Sequence, residues 1–273
     1  MKTYSRAPLP FLGSKNHFVK QYRELLKHAT GIDTVVDLFG GSGILSRIAK
    51  DVLPNARVVY NDFDNYCARL EMIPTTNAII GELCPLVDGM KLKWRIPPRI
   101  KEECLRVIGE YEREGRVDYI TISARLLFGT HYALSYEEFK RECFYNKLGK
   151  TQYDASGYLD GLDVVRKDFR ELIKSFGQFK NVLFVADPPY SKTIYRHYEG
   201  NAWDERDDAD LIRALHGRKY IFFTSNKTGI IEHIDMTGRR ANKSPILYAR
   251  QSITSQRRPS YNTAFTDYLI TNL

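Results

Sequence analysis

A short apolar run that ends in a cluster of glycines constrains the fold of this chain more than any other feature. The run Thr34–Phe39 stops at Gly40-Gly41-Ser42-Gly43, the helical pattern ILSRIAKDVL follows, and a second strand pattern ends at Asn61-Asp62. Strand, glycine turn, helix and strand form a βαβ unit. Such a unit predicts a parallel sheet covered by helices.

The glycine turn also predicts a ligand site. Glycine lets the backbone approach a ligand closely, and open parallel sheets bind nucleotides at the carboxyl ends of their strands. Asp62 is placed to accept hydrogen bonds from both ribose hydroxyls. Ser46 stands where the third glycine of a dinucleotide fingerprint belongs, and Asp37 suits a cationic ligand better than a pyrophosphate. The turn alone fits NAD, FAD or S-adenosylmethionine, and Asp37 favours the last.

The pattern along the chain predicts one α/β domain with an insertion. Between Glu71 and Gly157 helical stretches dominate, and the alternation of strands and helices returns after them. We therefore predict an α/β fold, a Rossmann-like sheet formed by residues 1–70 and 158–273. A mostly helical insertion, residues 71–157, interrupts it and is expected to recognise the target.

Charge and composition favour a nucleic-acid partner. The net charge is +8 with a pI near 9.2, and basic residues cluster around Trp94 and again between Asp235 and Asp267. The four cysteines and six histidines show no metal-like spacing, so no metal is expected. No apolar stretch approaches the roughly 20 residues of a membrane helix, and no signal-peptide core is present. We expect a cytoplasmic protein with no membrane partner.

A second apolar run, Val182–Ala186, ends abruptly in Asp187-Pro188-Pro189-Tyr190. The prolines end the strand because they lack the N–H that a sheet requires. An Asp carboxylate and a proline carbonyl can each accept one hydrogen of an exocyclic amino group, and an aromatic ring can stack on the base that carries it. Holding both hydrogens frees the nitrogen lone pair to attack an electrophilic methyl group.

These elements, in this order, resemble the Dam-type DNA adenine-N6 methyltransferases, which use S-adenosylmethionine. The order of cofactor motifs, recognition region and catalytic motif is that of the family. The later Ser225-Asn226 also matches. The matching cofactor positions are Phe11, Gly13, Lys15, Asp37, Phe39, Gly41, Gly43, Asp62, Asp168 and Phe169.

The resemblance implies a mechanism and a partner. Asp187 and the Pro188 carbonyl would bind the target amino group, Pro189 would restrain the backbone, and Tyr190 would stack on the adenine. The partner would be double-stranded DNA, from which the base must be flipped because its amino group is paired inside the duplex. Lys15 is expected near Asp187 or the cofactor carboxylate, and Trp203 in a lip over the base. One flipped base needs one active site, so an oligomer is not required.

The recognition region departs from the family pattern. It lacks the Asn/Arg/Gly-rich signature of enzymes that read a short defined site, which predicts relaxed specificity and fits a phage-type or orphan member. Arg257 and Arg258 are expected at a hairpin tip. The residues expected to contact DNA are Arg125, Lys140, Arg141, Lys147, Arg239, Arg240, Arg257 and Arg258.

Other functions stay open at this point. A methyltransferase could act on cytosine N4, on RNA or on a protein amide, and a chain with this fold could bind DNA without catalysis. An NAD-linked oxidoreductase would use the same glycine turn but would leave Asp187 and Tyr190 without a role. The sequence does not say whether a partner restriction enzyme exists.

Overall fold

Strands from both ends of the chain build one sheet. The computed structural model describes residues 3–129, 131–149, 151–189, 203–228, 230–231, 234–235, 247–260 and 263–273. The strands are β1 (Thr34–Asp37), β2 (Arg57–Asn61), β3 (Leu162–Val165), β4 (Val182–Ala186), β5 (Lys219–Ser225), β6 (Ile234–Asp235), β7 (Leu247–Tyr248), β8 (Gln251–Ser260) and β9 (Thr263–Thr271). Among the described residues, seven of them form a sheet in the order β3-β2-β1-β4-β5-β9-β8. Strands β1 to β5 are parallel, whereas β9 is antiparallel to both neighbours.

Helices occupy the connections. They are α1 (Val19–His28), α2 (Ile44–Val52), α3 (Tyr66–Glu71), α4 (Ile73–Leu83), α5 (Pro98–Glu112), α6 (Tyr119–Leu126), α7 (Tyr136–Arg141), α8 (Phe169–Phe176) and α9 (Glu205–Leu215). Short 3-10 helices span Asn16–Phe18 and Cys84–Val87. The strand order and the helical crossovers confirm the Rossmann-like α/β fold predicted from the βαβ pattern.

The chain divides into two compact units. The sheet unit comprises Met1–Arg6, Ser14–Tyr66 and Leu159–Leu273, and the helical unit comprises Ala7–Gly13 and Cys67–Tyr158. These boundaries differ from the predicted 1–70 and 158–273 mainly at residues 7–13, which belong to the helical unit. The recognition role of the helical segment stays a prediction.

The hydrogen bonds of one partly buried side chain, that of Arg69, explain why residues 7–13 join the helical unit. The Arg69 guanidinium donates to the Pro10 carbonyl at 2.9 Å, to the Thr121 hydroxyl at 3.1 Å and to the Asp118 carboxylate at 3.1 and 3.2 Å. Asp118 is buried and also caps α6 by accepting from the Thr121 amide. The N-terminal segment is therefore tied to α6, which no local sequence pattern indicates.

The register of the two central strands fixes where the site forms. Asp37 of β1 pairs with Val185 of β4, so Asp187 stands two residues beyond it at the same edge of the sheet. The strands that follow β1 in the chain lie on one side of it, as β2 and then β3, whereas the strand that follows β4 lies on the opposite side, as β5. The strand order therefore reverses between β1 and β4. Ligands of open α/β sheets bind at such a reversal point, beyond the carboxyl ends of the strands.

The C-terminal hairpin formed by β8 and β9 completes the sheet. Arg257 lies within β8 opposite Phe265, and β8 continues to Ser260, so Arg257 and Arg258 precede the end of the strand instead of forming the tip. Only the backbone of Arg258 is described. Within the described residues, no helix combines the length and apolar character needed to cross a membrane.

Candidate active site

The glycine turn after β1 is packed against the next strand so closely that it admits no side chain. The Gly40 amide donates to the Asn61 carbonyl at 3.1 Å. A Cβ built on Gly40 would lie 2.3 Å from two ring carbons of Tyr60, which is fully buried. Gly43 takes a left-handed conformation, φ +74°, as the N-cap of α2. The turn therefore needs glycine at both positions for physical reasons.

The replacement Gly40→Ala is expected to destabilise the fold. The added methyl must displace the Tyr60 ring, whose hydroxyl donates to the Gly41 carbonyl at 2.8 Å and lies 3.1 Å from Asp62. Overpacking of this kind costs about 3 kcal/mol of unfolding free energy, measurable by urea unfolding. The matched control is Gly81→Ala, in a helix with no atom within 4 Å of the new Cβ. It should leave stability unchanged or raise it. Equal losses for the two variants would contradict the steric account.

Asp37 brings a buried, incompletely paired carboxylate to the end of β1. Its Oδ2 accepts from the Ser46 hydroxyl at 2.6 Å, whereas Oδ1 has no hydrogen-bond partner among the described residues. Burial raises the pKa of Asp37 to about 7. The hydrogen bond from Ser46 lowers this pKa, and the negative charge of Asp187 raises it further. The Tyr22 hydroxyl, also buried and without a described partner, has its pKa raised by burial and by Asp37. A cation in contact with Asp37 Oδ1 would relieve this arrangement.

The end of β2 is held by Asn61 and presents Asp62. The side-chain amide nitrogen of Asn61 donates to the backbone carbonyls of Leu38 at 2.8 Å and Lys167 at 2.9 Å. Its side-chain oxygen accepts from the backbone amide of Lys167 at 2.9 Å. These bonds fasten the segments after β1 and β3 to β2. Asp62 is buried and accepts from the Tyr66 amide at 2.6 Å, which orients the carboxylate predicted to meet the ribose.

Three aromatic rings meet next to the glycine turn. The ring centroid of Phe39 lies 5.4 Å from that of Phe169 and 5.2 Å from that of Trp203, and Phe169 lies 5.4 Å from Trp203. The indole N–H of Trp203 donates to Asp208 at 2.6 Å, which fixes the ring. Trp203 was expected in a lip over the base, whereas it packs on the two predicted cofactor-binding rings.

Asp168 has a structural role of its own. Its carboxylate caps α8 by accepting from the Arg170 amide at 2.8 Å, and Oδ2 lies 3.4 Å from the Arg170 guanidinium. Its side chain is about half exposed. The cap places Phe169 at the first position of the helix, where it is buried against Phe39.

An ion pair that is largely shielded from solvent joins Lys15 to Asp187 of the predicted catalytic motif. The Lys15 ammonium lies 2.6 Å from Oδ1 and 2.9 Å from Oδ2 of Asp187. Burial raises the pKa of the Asp187 carboxyl above its usual range, and the Lys15 charge opposes that increase. Of the two partners that the sequence left open for Lys15, the structure brings it to Asp187. Pro188 is buried and Pro189 half-buried, and Tyr190 lies outside the described residues.

A second pair beside the first was not predicted. His17 Nε2 lies 3.1 Å from Oδ2 of Asp267, and Asp267 is almost fully buried. The Asp267 charge raises the pKa of Asp187, and His17 lowers it. Asp267 reaches this edge because β9 runs antiparallel to β5, which sets it opposite Ser225 at the carboxyl end of β5. An acidic residue in a hydrophobic strand, TDYLIT, was the available signal.

The residues expected to contact DNA have varied surroundings. Arg125 donates to the Tyr153 hydroxyl at 2.9 Å and stacks over its ring. Lys140 pairs with Glu137, and Lys147 donates to the Leu127 carbonyl, with burial lowering its pKa. Arg141 and Arg257 are exposed. Arg239 and Arg240 lie outside the described residues. In the part of the chain that is described, no group of His, Cys, Asp or Glu could hold a metal ion.

Comparison with known proteins identifies the class. A curated protein of Haemophilus influenzae named "Putative methyltransferase" is 36% identical over 242 residues, covering 86% of this chain and 80% of its own. The chain belongs to the methyltransferase family of this relative. No family model matches the chain. The solved rRNA methyltransferase aviRa of Streptomyces viridochromogenes aligns over 98% of this chain and 88% of its own. Its identity of 14% and TM-score of 0.33 are too low to bear on fold or substrate.

The family and the fold imply S-adenosylmethionine as the methyl donor, and the edge of the sheet fits it. The unpaired Oδ1 of Asp37 suits the ammonium group of the methionine moiety, and buried Asp62 suits the ribose. The aromatic rings of Phe39 and Phe169 offer an apolar lining for the adenine. Phe11 and Gly13, also predicted to meet the cofactor, lie in the helical unit.

Proposed function

We propose that this methyltransferase modifies the N6 amino group of adenine in DNA. The observation that carries the proposal is the position of Asp187 and Pro188 directly beyond β4, next to the end of β1 that presents Asp37. A group built to hold an amine thus shares one sheet edge with a group suited to the methionine moiety of the donor. The resemblance of the motifs to the Dam-type enzymes supports the choice of adenine and of DNA.

The catalytic segment supplies two hydrogen-bond acceptors on a fixed backbone. The Asp187 carboxylate and the Pro188 carbonyl would each accept one hydrogen of the amino group, and both prolines limit backbone motion. With its hydrogens held in this way, the nitrogen directs its lone pair away from the ring and toward the methyl donor. S-adenosylmethionine would supply, when bound, a methyl group on a positively charged sulfur. As the bond from nitrogen to the methyl carbon forms, the bond from that carbon to sulfur would break, so that S-adenosylhomocysteine leaves and the methylated nitrogen gives one proton to solvent.

Lys15 keeps Asp187 in the form that this role requires. A protonated Asp187 would lose one acceptor site, and burial favours protonation. The Lys15 ammonium, in contact with both carboxylate oxygens, stabilises the ionised form. We therefore assign Lys15 as a positioning residue that acts through Asp187, not as a base.

The substrate must present adenine outside a duplex, because a paired amino group is inaccessible. We place the contacts that select DNA in the helical unit, among Arg125, Lys140, Arg141 and Lys147. Lysine and arginine contacts to phosphates position a protein without reading bases, so we propose relaxed sequence specificity.

The test is transfer of labelled methyl from S-adenosylmethionine to DNA, RNA and bulk protein by the wild-type chain. We expect label in DNA, recovered as N6-methyladenine after digestion to nucleosides, and S-adenosylhomocysteine should suppress it. Label in RNA alone, or in N4-methylcytosine, would contradict the proposed substrate while leaving the methyltransferase assignment intact. Mapping of the modified adenines on a plasmid tests the sequence specificity. Modification confined to one strict sequence motif would contradict the relaxed specificity that we propose.

A further inference from the structure

The helical unit carries a surface on which exposed aromatic and cationic side chains are held together by backbone hydrogen bonds. Residues 94–96 run beside residues 144–146, with the Ile96 amide donating to Phe144 O and the Asn146 amide to Trp94 O, both at 2.8 Å. Residues 125–127 run along the other side, where the Tyr145 amide donates to Leu126 O at 2.7 Å and the Lys147 amide to Arg125 O at 3.2 Å. We call the surface of these three segments, together with the adjoining residues 91–93 and 128, the aromatic platform.

Large hydrophobic side chains on this platform face solvent. Trp94 is 61% exposed, Leu92 63% and Phe128 71%. The Phe128 ring centroid lies 5.4 Å from that of Tyr145, which is paired with Arg95 in an antiparallel bridge. Burial of such rings away from solvent would be favourable, so their exposure on segments that are hydrogen-bonded to one another indicates a partner surface.

The turn that presents Trp94 is strained. Lys93 takes a left-handed conformation, φ +66°, and its amide donates to the Asn146 carbonyl at 2.6 Å. A non-glycine residue in this region costs about 1 kcal/mol or more, and such strain concentrates at ligand-binding segments. The turn holds Leu92 and Trp94 outward instead of allowing them to fold onto the core.

The charge of the platform selects the chemistry of the partner. The segments 89–101, 119–136 and 143–153 contain no aspartate or glutamate. Their basic residues are Lys91, Lys93, Arg95, Arg99, Lys101, Arg125, Lys147 and Lys150. The Lys91 ammonium lies 5.3 Å from the centre of the Trp94 ring. Glu142 adjoins these segments and lies 3.2 Å from His131, but the segments themselves are rich in cations and flat rings, which suit a polyanion with aromatic bases.

We propose that the aromatic platform is a DNA-binding surface, on which Trp94 and Phe128 stack on unpaired bases and the neighbouring cations bind phosphates. The inference rests on the proposed function only for the choice of DNA over RNA. Stacking requires base faces that a closed duplex hides, so the platform binds the strand where the duplex is opened. The platform includes the basic cluster around Trp94 that the sequence had indicated, and it adds Phe128.

The experiment is fluorescence anisotropy with a labelled single-stranded DNA, the same sequence as a duplex, and the matched RNA. Trp94→Ala and Phe128→Ala should each weaken single-strand binding by about fivefold to a hundredfold at every salt concentration, while Trp94→Phe retains most of the affinity. Arg95→Gln and Lys93→Gln should each reduce the slope of log affinity against log salt by about 0.7. The matched control is Phe179→Ala, 59% exposed in the sheet unit.

The outcomes separate this proposal from the proposed function. Wild-type affinity in Trp94→Ala and Phe128→Ala, or an equal loss in Phe179→Ala, would overturn the platform even if the wild type methylates DNA. Weakened DNA binding in the two variants of a chain that methylates no DNA would support the platform and reject the proposed function. Tighter binding of the RNA, weakened by the same variants, would overturn the choice of DNA.

Discussion

Replacement of Asp187 by asparagine is expected to reduce methyl transfer by about a hundredfold to a thousandfold, the range found when one preorganised hydrogen-bonding group at a reacting centre is removed. Asparagine keeps the size of the side chain but offers a neutral oxygen in place of a carboxylate. It also removes the charge that lies 2.6–2.9 Å from the Lys15 ammonium. The amino group of the target would then be held more weakly and its lone pair would be less available.

The same variant should still bind the cofactor, because Asp37, Asp62 and the aromatic rings are untouched. We would measure turnover with labelled S-adenosylmethionine and binding of S-adenosylhomocysteine by calorimetry. The control is Asp163→Asn, an exposed carboxylate of β3 paired with Arg57, which should turn over like the wild type. Near-normal turnover in Asp187→Asn would show that Asp187 takes no part in methyl transfer. Loss of cofactor binding would make its role structural.

The pH dependence of turnover follows from the same residue. Burial raises the pKa of Asp187, so its carboxylate becomes protonated at a higher pH than an exposed aspartate would. In the proposed mechanism turnover requires the ionised form. Measured with saturating S-adenosylmethionine, so that weaker cofactor binding by protonated Asp37 does not limit the rate, turnover should fall as the pH drops through the raised pKa of Asp187. The Asp187→Asn variant should lose this acidic limb of the profile.

Local patterns in the sequence were sufficient to predict the framework of the sheet and to place Asp37, Asp62 and Asp187 at one edge of it. A strand followed by glycines and a strand followed by prolines each have a physical reason to end where they do, so Asp37, Asp62 and Asp187 could be placed at strand ends. Parallel pairing then brings those ends together. The cofactor edge is therefore predictable from short segments taken one at a time.

Contacts between distant segments could not be predicted in this way. The pairing of Lys15 with Asp187, 172 positions away, was expected only through the family resemblance and only as one of two possible partners, because it depends on how the N-terminal segment packs on the sheet. Asp267 reaches the site through the antiparallel register of β9, which a hydrophobic pattern does not specify. Trp203 shows a further limit of prediction from local patterns. An aromatic residue at this position is compatible both with a lip over the base and with the packing on Phe39 and Phe169 that the structure has.

The Asp37→Asn variant is expected to gain stability and lose cofactor affinity. The unfolded chain releases this proton near pH 3.8, whereas the folded chain keeps it to about pH 7. The wild type therefore loses stability as pH rises between these values, by at most about 4 kcal/mol. Asparagine cannot ionise and avoids that loss, so urea unfolding should show a growing advantage for the variant from pH 5 to 8. The control Asp33→Asn, at the exposed start of β1, should show none.

Cofactor binding should respond in the opposite sense, because the ammonium group of the ligand would need an ionised Asp37 in the role that we propose for this residue. Below about pH 7 the free protein must release the Asp37 proton to bind, so wild-type affinity for S-adenosylhomocysteine should rise about tenfold per pH unit. Asp37→Asn should bind more weakly and with a smaller pH dependence, as measured by calorimetry. Parallel affinity profiles for the two proteins would show that Asp37 does not face the ammonium group. One side chain accounts for both expected effects: burial disfavours the ionised form of Asp37, and its Oδ1, which has no hydrogen-bond partner among the described residues, is the atom proposed to meet the ammonium group.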